Sequence, residues 1–146
     1  MDDGILIRTS PGGPMSEFQS GLETMRRVLV VDDEPLIRML VIDTLEELGL
    51  EAVEAGTASG AVAVLDSGQP LDLLVTDLNF PGGMDGRQLA TIARRTIKDL
   101  KVLLVTGYAP AAADVVDERT RVVAKPFLTE TLAAHIRDLL GLTAPE

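Results

Sequence analysis

Short aliphatic runs rich in β-branched residues recur along this chain, and a longer segment of helical spacing follows each one. The runs are Val28–Val31, Leu71–Thr76, Val102–Val105 and Val122–Ala124; a weaker one, Glu51–Glu54, has only Ala52 and Val53 as apolar members. The strong runs are largely apolar at consecutive positions. Both faces of each strand must then be covered, as in a parallel sheet flanked by helices.

The segments between the runs carry the helical half of the pattern. Leu36, Ile37, Leu40, Val41, Leu45 and Leu48 recur at threes and fours, and Gly49 supplies a stop. Ala58–Ser67 carries Val62 and Leu65 ahead of Gly68, and Arg87–Ile97 carries Leu89, Ile92, Ala93 and Ile97. Leu132, Ile136, Leu139 and Leu140 form the last stripe, closed by Gly141. The alanine-rich stretch Pro110–Asp117 is weakly patterned and reads as a short helix. A β-α unit is thus repeated five times, which predicts an open parallel sheet with helices on both faces.

The chain length of 146 residues suits one domain. Apolar residues make up 46% and charged residues 25%, the balance of a globular protein. There is no cysteine, which rules out a disulfide framework and a thiolate metal site, and fits a cytoplasmic protein. A net charge of −10 argues against nucleic acid, whose phosphates call for a basic face, and against anionic membrane surfaces. No apolar run approaches the ~20 residues of a membrane-spanning helix. Residues 1–25 contain Ser10-Pro11-Gly12-Gly13-Pro14 and read as a disordered extension or an added leader, not as a signal peptide. The patterned domain occupies 26–141, with 142–146 as a short tail, so no output domain is expected after it.

In open parallel sheets, ligands bind beyond the carboxyl ends of the strands. The first run ends in Asp32-Asp33-Glu34, the third in Asp77, the fourth in Thr106-Gly107 and the fifth in Lys125-Pro126. Gathered in one crevice, three carboxylates would repel one another. A like-charge pair about 4 Å apart costs on the order of 4 kcal/mol at an effective dielectric of ~20. A hard divalent cation such as Mg²⁺ relieves that repulsion. One carboxylate can then attack phosphorus to form an acyl phosphate, while a lysine and a hydroxyl receive the remaining oxygens.

Each residue has a plainer reading when taken singly. Asp32 and Asp33 could be helix caps before Pro35, Asp77 a loop-starting aspartate, Thr106 an ordinary strand-end threonine and Lys125 a solvated lysine. Such residues at four strand ends, in order, favour the joint reading.

The region Arg26–Leu140 resembles the receiver domain of bacterial two-component response regulators. The resemblance is carried by Val28-Leu29-Val30-Val31-Asp32-Asp33-Glu34-Pro35, Val75-Thr76-Asp77-Leu78, Pro81-Gly82-Gly83-Met84-Asp85-Gly86, Val105-Thr106-Gly107 and Ala124-Lys125-Pro126-Phe127. It implies a flavodoxin-like (βα)₅ fold, a doubly wound parallel sheet with strand order 2-1-3-4-5. That order makes Asp32, Asp33 and Asp77 neighbours.

By the same resemblance, Asp77 is the phosphoacceptor, and Thr106 and Lys125 hold phosphoryl oxygens. Mg²⁺ is held by Asp33, Asp77 and the backbone carbonyl of Asn79, with Asp32 acting mainly through water. The Lys125–Pro126 peptide is expected to be cis. The implied donor is a histidine kinase or phosphotransfer protein, the output an unidentified downstream protein, and the state a monomer or phosphorylation-dependent dimer. Such a domain catalyses only its own phosphorylation and dephosphorylation.

The chain departs from the commonest family pattern in three places. The loop Pro81-Gly82-Gly83-Met84 is one glycine longer, as in receivers of hybrid histidine kinases and some stand-alone receivers. Val122 stands where an aromatic switch residue is usual, and Tyr108, two after Thr106, is the alternative switch candidate. Val-Thr-Gly-Tyr resembles a stand-alone receiver subgroup of α-proteobacteria. His135, the only histidine, reads as a helix-face residue.

The leading expectation is a stand-alone receiver that signals by protein–protein contact. The alternatives are the receiver portion of a hybrid kinase, a phosphatase or mutase with an aspartyl nucleophile and Glu34 as its second acid, and an unphosphorylated scaffold.

Overall fold

The computed structural model describes residues 26–80 and 83–142, with only the backbone of Ala111. The expectations for residues 1–25, for Pro81-Gly82 and for residues 143–146 of the tail lie outside the described residues. Five strands form one parallel sheet: β1 (Arg27–Val31), β2 (Glu51–Ala55), β3 (Leu73–Asp77), β4 (Lys101–Thr106) and β5 (Thr120–Ala124). Their order is β2-β1-β3-β4-β5. The helices are α1 (Pro35–Glu47), α2 (Ala58–Asp66), α3 (Gly86–Thr96) and α4 (Thr129–Leu140), with a 3-10 helix at Ala109–Val115. This is the flavodoxin-like, doubly wound arrangement that the sequence resemblance implied.

The two-residue period of the strands sorts the core. Leu29, Val31, Leu74, Val102 and Leu104 face α2 and α3, where they meet Ala61, Leu65, Leu89 and Ala93. Val28, Val30, Leu73, Val75, Leu103, Val105 and Val123 face α1 and α4, where they meet Val41, Leu45, Leu132 and Ile136. Burying one such side chain contributes about 1.5–3 kcal/mol, so the inner strands are strongly committed to this register. The edge strands β2 and β5 are half-buried, which explains why Glu51–Glu54 carries so weak an apolar signal.

Helix boundaries follow local chemistry. Asp85 caps α3 by accepting from the Gln88 amide at 2.9 Å, and the Gln88 side chain accepts from the Asp85 amide at 2.8 Å. This reciprocal capping satisfies two otherwise orphaned donors. Gly141 ends α4 in a left-handed conformation, φ +69°, which lets Leu142 N–H return to the Arg137 carbonyl at 2.8 Å.

Three sequence expectations change in detail. The third strand runs Leu73–Asp77, because Asp72 instead exchanges hydrogen bonds with the Arg27 backbone before pairing begins. In α1, Leu36 and Leu40 are exposed alongside Met39, and the helix buries Val41, Thr44 and Leu45. The apolar stripe was wider than the face the sheet can cover. The stretch after β4, expected as a short helix over Pro110–Asp117, is a 3-10 helix over Ala109–Val115, entered through Pro110, and Ala112 is its buried contact in the core. Alanines bury too little surface there to favour a longer element.

Candidate functional site

The carboxyl ends of β1, β3, β4 and β5 lie together. Parallel pairing sets Val31 beside Thr76 and Asp77 beside Val105, and Thr106 beside Ala124. Asp32 and Asp33 leave β1 next to Asp77, and Thr106 and Lys125 lie across the same end of the sheet. Asp32, Asp77 and Thr106 are buried, whereas Asp33 is exposed.

One carboxylate oxygen from each of Asp32, Asp33 and Asp77 falls within 4.8 Å of the others. Lys125 Nζ lies 3.3 Å from Asp32 Oδ2 and 3.6 Å from Asp77 Oδ2. Burial raises the Asp77 pKa above the usual carboxylate value; Lys125 offsets part of this, Asp32 and Asp33 add to it, and the Asn79 amide opposes it. Burial alone would lower the Lys125 pKa, but Asp32 and Asp77, with the hydrogen bonds to Asp32 and Glu34, hold it above its ordinary value. One lysine facing three clustered carboxylates leaves the site net negative. An all-oxygen donor set of this charge fits a hard divalent cation of the Mg²⁺ type.

The other expected residues are placed as follows. Asn79 is exposed, and its amide donates to Asp77 Oδ1 at 3.3 Å. Thr106 Oγ1 accepts from the Tyr108 amide at 3.2 Å. Tyr108 is 67% exposed, and among the described residues its side chain makes no hydrogen bond to the carboxylates. Val122 is half-buried against the core facing α2 and α3. The Lys125–Pro126 peptide is cis, as the resemblance implied. His135 lies on α4, away from the cluster in sequence and element. Burial, then the nearby Arg121, lowers its pKa, with Asp138 opposing.

Three residues gain positions that sequence reasoning did not assign. Glu34 Oε1 lies 3.3 Å from Lys125 Nζ. Arg38 donates from one guanidinium nitrogen to the Asp32 carbonyl at 2.8 Å and pairs with Glu54 at 2.8 Å, tying the end of β1 to β2. Gly86 donates its amide to the Leu78 carbonyl at 2.7 Å, and a Cβ there would lie 2.4 Å from the Asp77 carbonyl oxygen. The Asp85-Gly86 pair was visible in the sequence, but its steric reason was not.

Comparison with known proteins agrees with this geometry. The response regulator receiver domain profile matches residues 28–137. The chain is 32% identical over 120 residues to the response regulator receiver protein CpdR of Brucella abortus, covering 80% of this chain and 92% of that protein. It is also 32% identical over 128 residues to the sensor kinase CckA of the same organism, covering 85% of this chain but 13% of the kinase. Among solved structures, a response regulator receiver protein from Sinorhizobium medicae superposes with a TM-score of 0.75 at 26% identity, covering 82% of this chain and 97% of that one. The response regulator TrrA of Thermotoga maritima, in complex with Mg²⁺ and beryllofluoride, superposes with a TM-score of 0.69 at 34% identity, covering 80% of this chain and all of that one.

Proposed function

This chain belongs to the response regulator receiver domain family, and on that premise we propose that Asp77 accepts a phosphoryl group from a phosphohistidine of a histidine kinase or phosphotransfer protein. Receiver domains are signalling modules of two-component systems, not enzymes that turn over an external substrate. The observation that carries the assignment is the cluster of Asp32, Asp33 and Asp77 with Lys125 reaching into it.

The chemistry follows from the side chains. An Asp77 carboxylate oxygen attacks phosphorus as the P–N bond breaks to a donor imidazole that is protonated on its other ring nitrogen, so the ring leaves with the bonding pair as neutral imidazole. The product is an aspartyl phosphate and a neutral histidine. Lys125 offsets charge on the transferred oxygens and the Thr106 hydroxyl donates to one of them. Asp32, Asp33, Asp77 and the Asn79 carbonyl would hold Mg²⁺, whose contribution is to neutralise phosphoryl charge. Burial of Asp32 and Asp77 lowers the local dielectric and strengthens each of these interactions.

The signal leaves through the β4 end. A Thr106 hydroxyl drawn toward a phosphoryl oxygen disturbs its contact with the Tyr108 amide, so Tyr108 and the 3-10 helix behind it become the moving parts. Val122, half-buried and β-branched, is restricted in χ1 and cannot swing as an aromatic would. Phosphorylation shifts a two-state loop and a downstream protein selects the active state. In this reading the domain works in the cytoplasm, as a monomer or phosphorylation-dependent dimer, by protein contact and without binding DNA. The extent of the match to CpdR supports a stand-alone receiver, and the match to CckA supports the alternative of a receiver portion within a hybrid kinase.

Lys125→Ala separates chemistry from folding. Circular dichroism should show a folded protein while the response to phosphorylation is lost. Loss of the fold would make Lys125 a structural residue and remove it from the mechanism.

A further inference from the structure

Glu34 occupies the N-cap position of α1, yet its side chain caps nothing. A short polar side chain at this position ordinarily turns back to the amides of the first turn. Here the Glu34 amide is instead taken by Asp32 Oδ1 at 2.8 Å, and the carboxylate points across the crevice to Lys125 Nζ at 3.3 Å. Lys125 therefore has three carboxylates around it. Two are interior, with the side chains of Asp32 and Asp77 only 4% and 10% exposed; Glu34, at 60%, is the outer one.

Glu34 is not one of the three acids whose oxygens converge as a cation cluster. Among the described residues, its side chain pairs only with Lys125. The lysine is thus held between the rim and the interior before any phosphoryl group arrives.

We propose that Glu34 is a positioning residue that retains Lys125 at the rim of the unphosphorylated site and competes with the phosphoryl oxygens for it. The inference rests on Asp77 being the phosphoacceptor. A phosphoryl group on Asp77 brings new anionic oxygens to the interior side of the ammonium, and Lys125 must turn inward to meet them. Glu34 then loses its counter-ion and is released to solvent. Its exposure keeps the pair weak, so it tunes the balance between the two states without locking either.

The test is a titration with beryllofluoride in saturating Mg²⁺, followed by calorimetry, on the parent, Glu34→Gln, Lys125→Met and the double variant. Glu34→Gln should bind beryllofluoride about two- to fivefold more tightly than the parent, the span expected for removing an exposed competing ion pair. The same substitution in the Lys125→Met background should change nothing, because the lysine it acts through is gone. Equal affinity of Glu34→Gln and parent overturns the proposal; so does an equal gain in both backgrounds, which would make Glu34 a distant charge only. A crystal structure of the beryllofluoride form gives a readout independent of the lysine variant. Lys125 should lie nearer fluorine and beyond about 3.5 Å from Glu34, outside hydrogen-bond reach; a retained Glu34 contact overturns the proposal. A parent protein that binds no beryllofluoride at all overturns the phosphoacceptor reading as well, which separates the two failures.

Discussion

Lys125 Nζ stands 3.6 Å from Asp77 Oδ2, although β4 separates their strands in the sheet. The strand order brings the two together from opposite sides of β4, and Asp32 completes the contact from β1 at 3.3 Å. The carboxylates outnumber the cation that faces them, and this imbalance has consequences for stability as well as for chemistry.

Asp77→Asn should stabilise the metal-free protein. Burial and the neighbouring Asp32 and Asp33 raise the Asp77 pKa, so its ionised form opposes folding at neutral pH. Asparagine removes the charge and retains the shape. The expected result is a higher Tm for the variant than for the metal-free parent. Mg²⁺ should then stabilise the parent more than the variant. Thermal melts with and without Mg²⁺ check both statements, and a variant less stable than the metal-free parent contradicts the first.

Gly86→Ala should destabilise the fold and disturb the site together. The added Cβ would meet the Asp77 carbonyl at 2.4 Å, and backbone atoms there cannot yield as a flexible side chain would. Overpacking of this kind costs about 1–3 kcal/mol. Urea denaturation should show the lowered midpoint, and unchanged stability would mean that the start of α3 moves freely.

Most of the fold was legible because the inner strands are apolar on both faces and the strand-end acids stand immediately after them. β2 was faint because it is an edge strand whose residues are mostly half-exposed. The α1 stripe misled because two of its members, Leu36 and Leu40, are apolar yet face solvent. At the site, Asp32, Asp33, Asp77, Thr106 and Lys125 could be proposed from position along the chain. The roles of Glu34, Arg38 and Gly86 could not, since each depends on a tertiary neighbour. Glu34 meets a lysine 91 positions away, Arg38 meets Glu54 on β2, and Gly86 is required by the approach of a backbone carbonyl.

His135 supplies a pH dependence separate from the acid cluster. Burial and Arg121 place its folded-state pKa below the ordinary histidine value near 6.5. As pH falls through that value, the unfolded chain takes up the proton more readily than the fold, so this residue's contribution to stability declines. His135→Gln should flatten the stability curve between about pH 7 and pH 5, the region where an ordinary histidine titrates. Chemical denaturation across that range measures the slope. An identical slope in variant and parent would assign the dependence to other groups.

The assignment of Asp77 is tested most directly by intact-mass spectrometry after incubation with a small acyl phosphate. Parent protein in Mg²⁺ should gain the mass of one phosphoryl group, the gain should vanish when the metal is chelated, and Asp77→Asn should gain none. An Asp77→Asn protein labelled as fully as the parent would contradict the account, because the phosphoryl group would then reside on another residue.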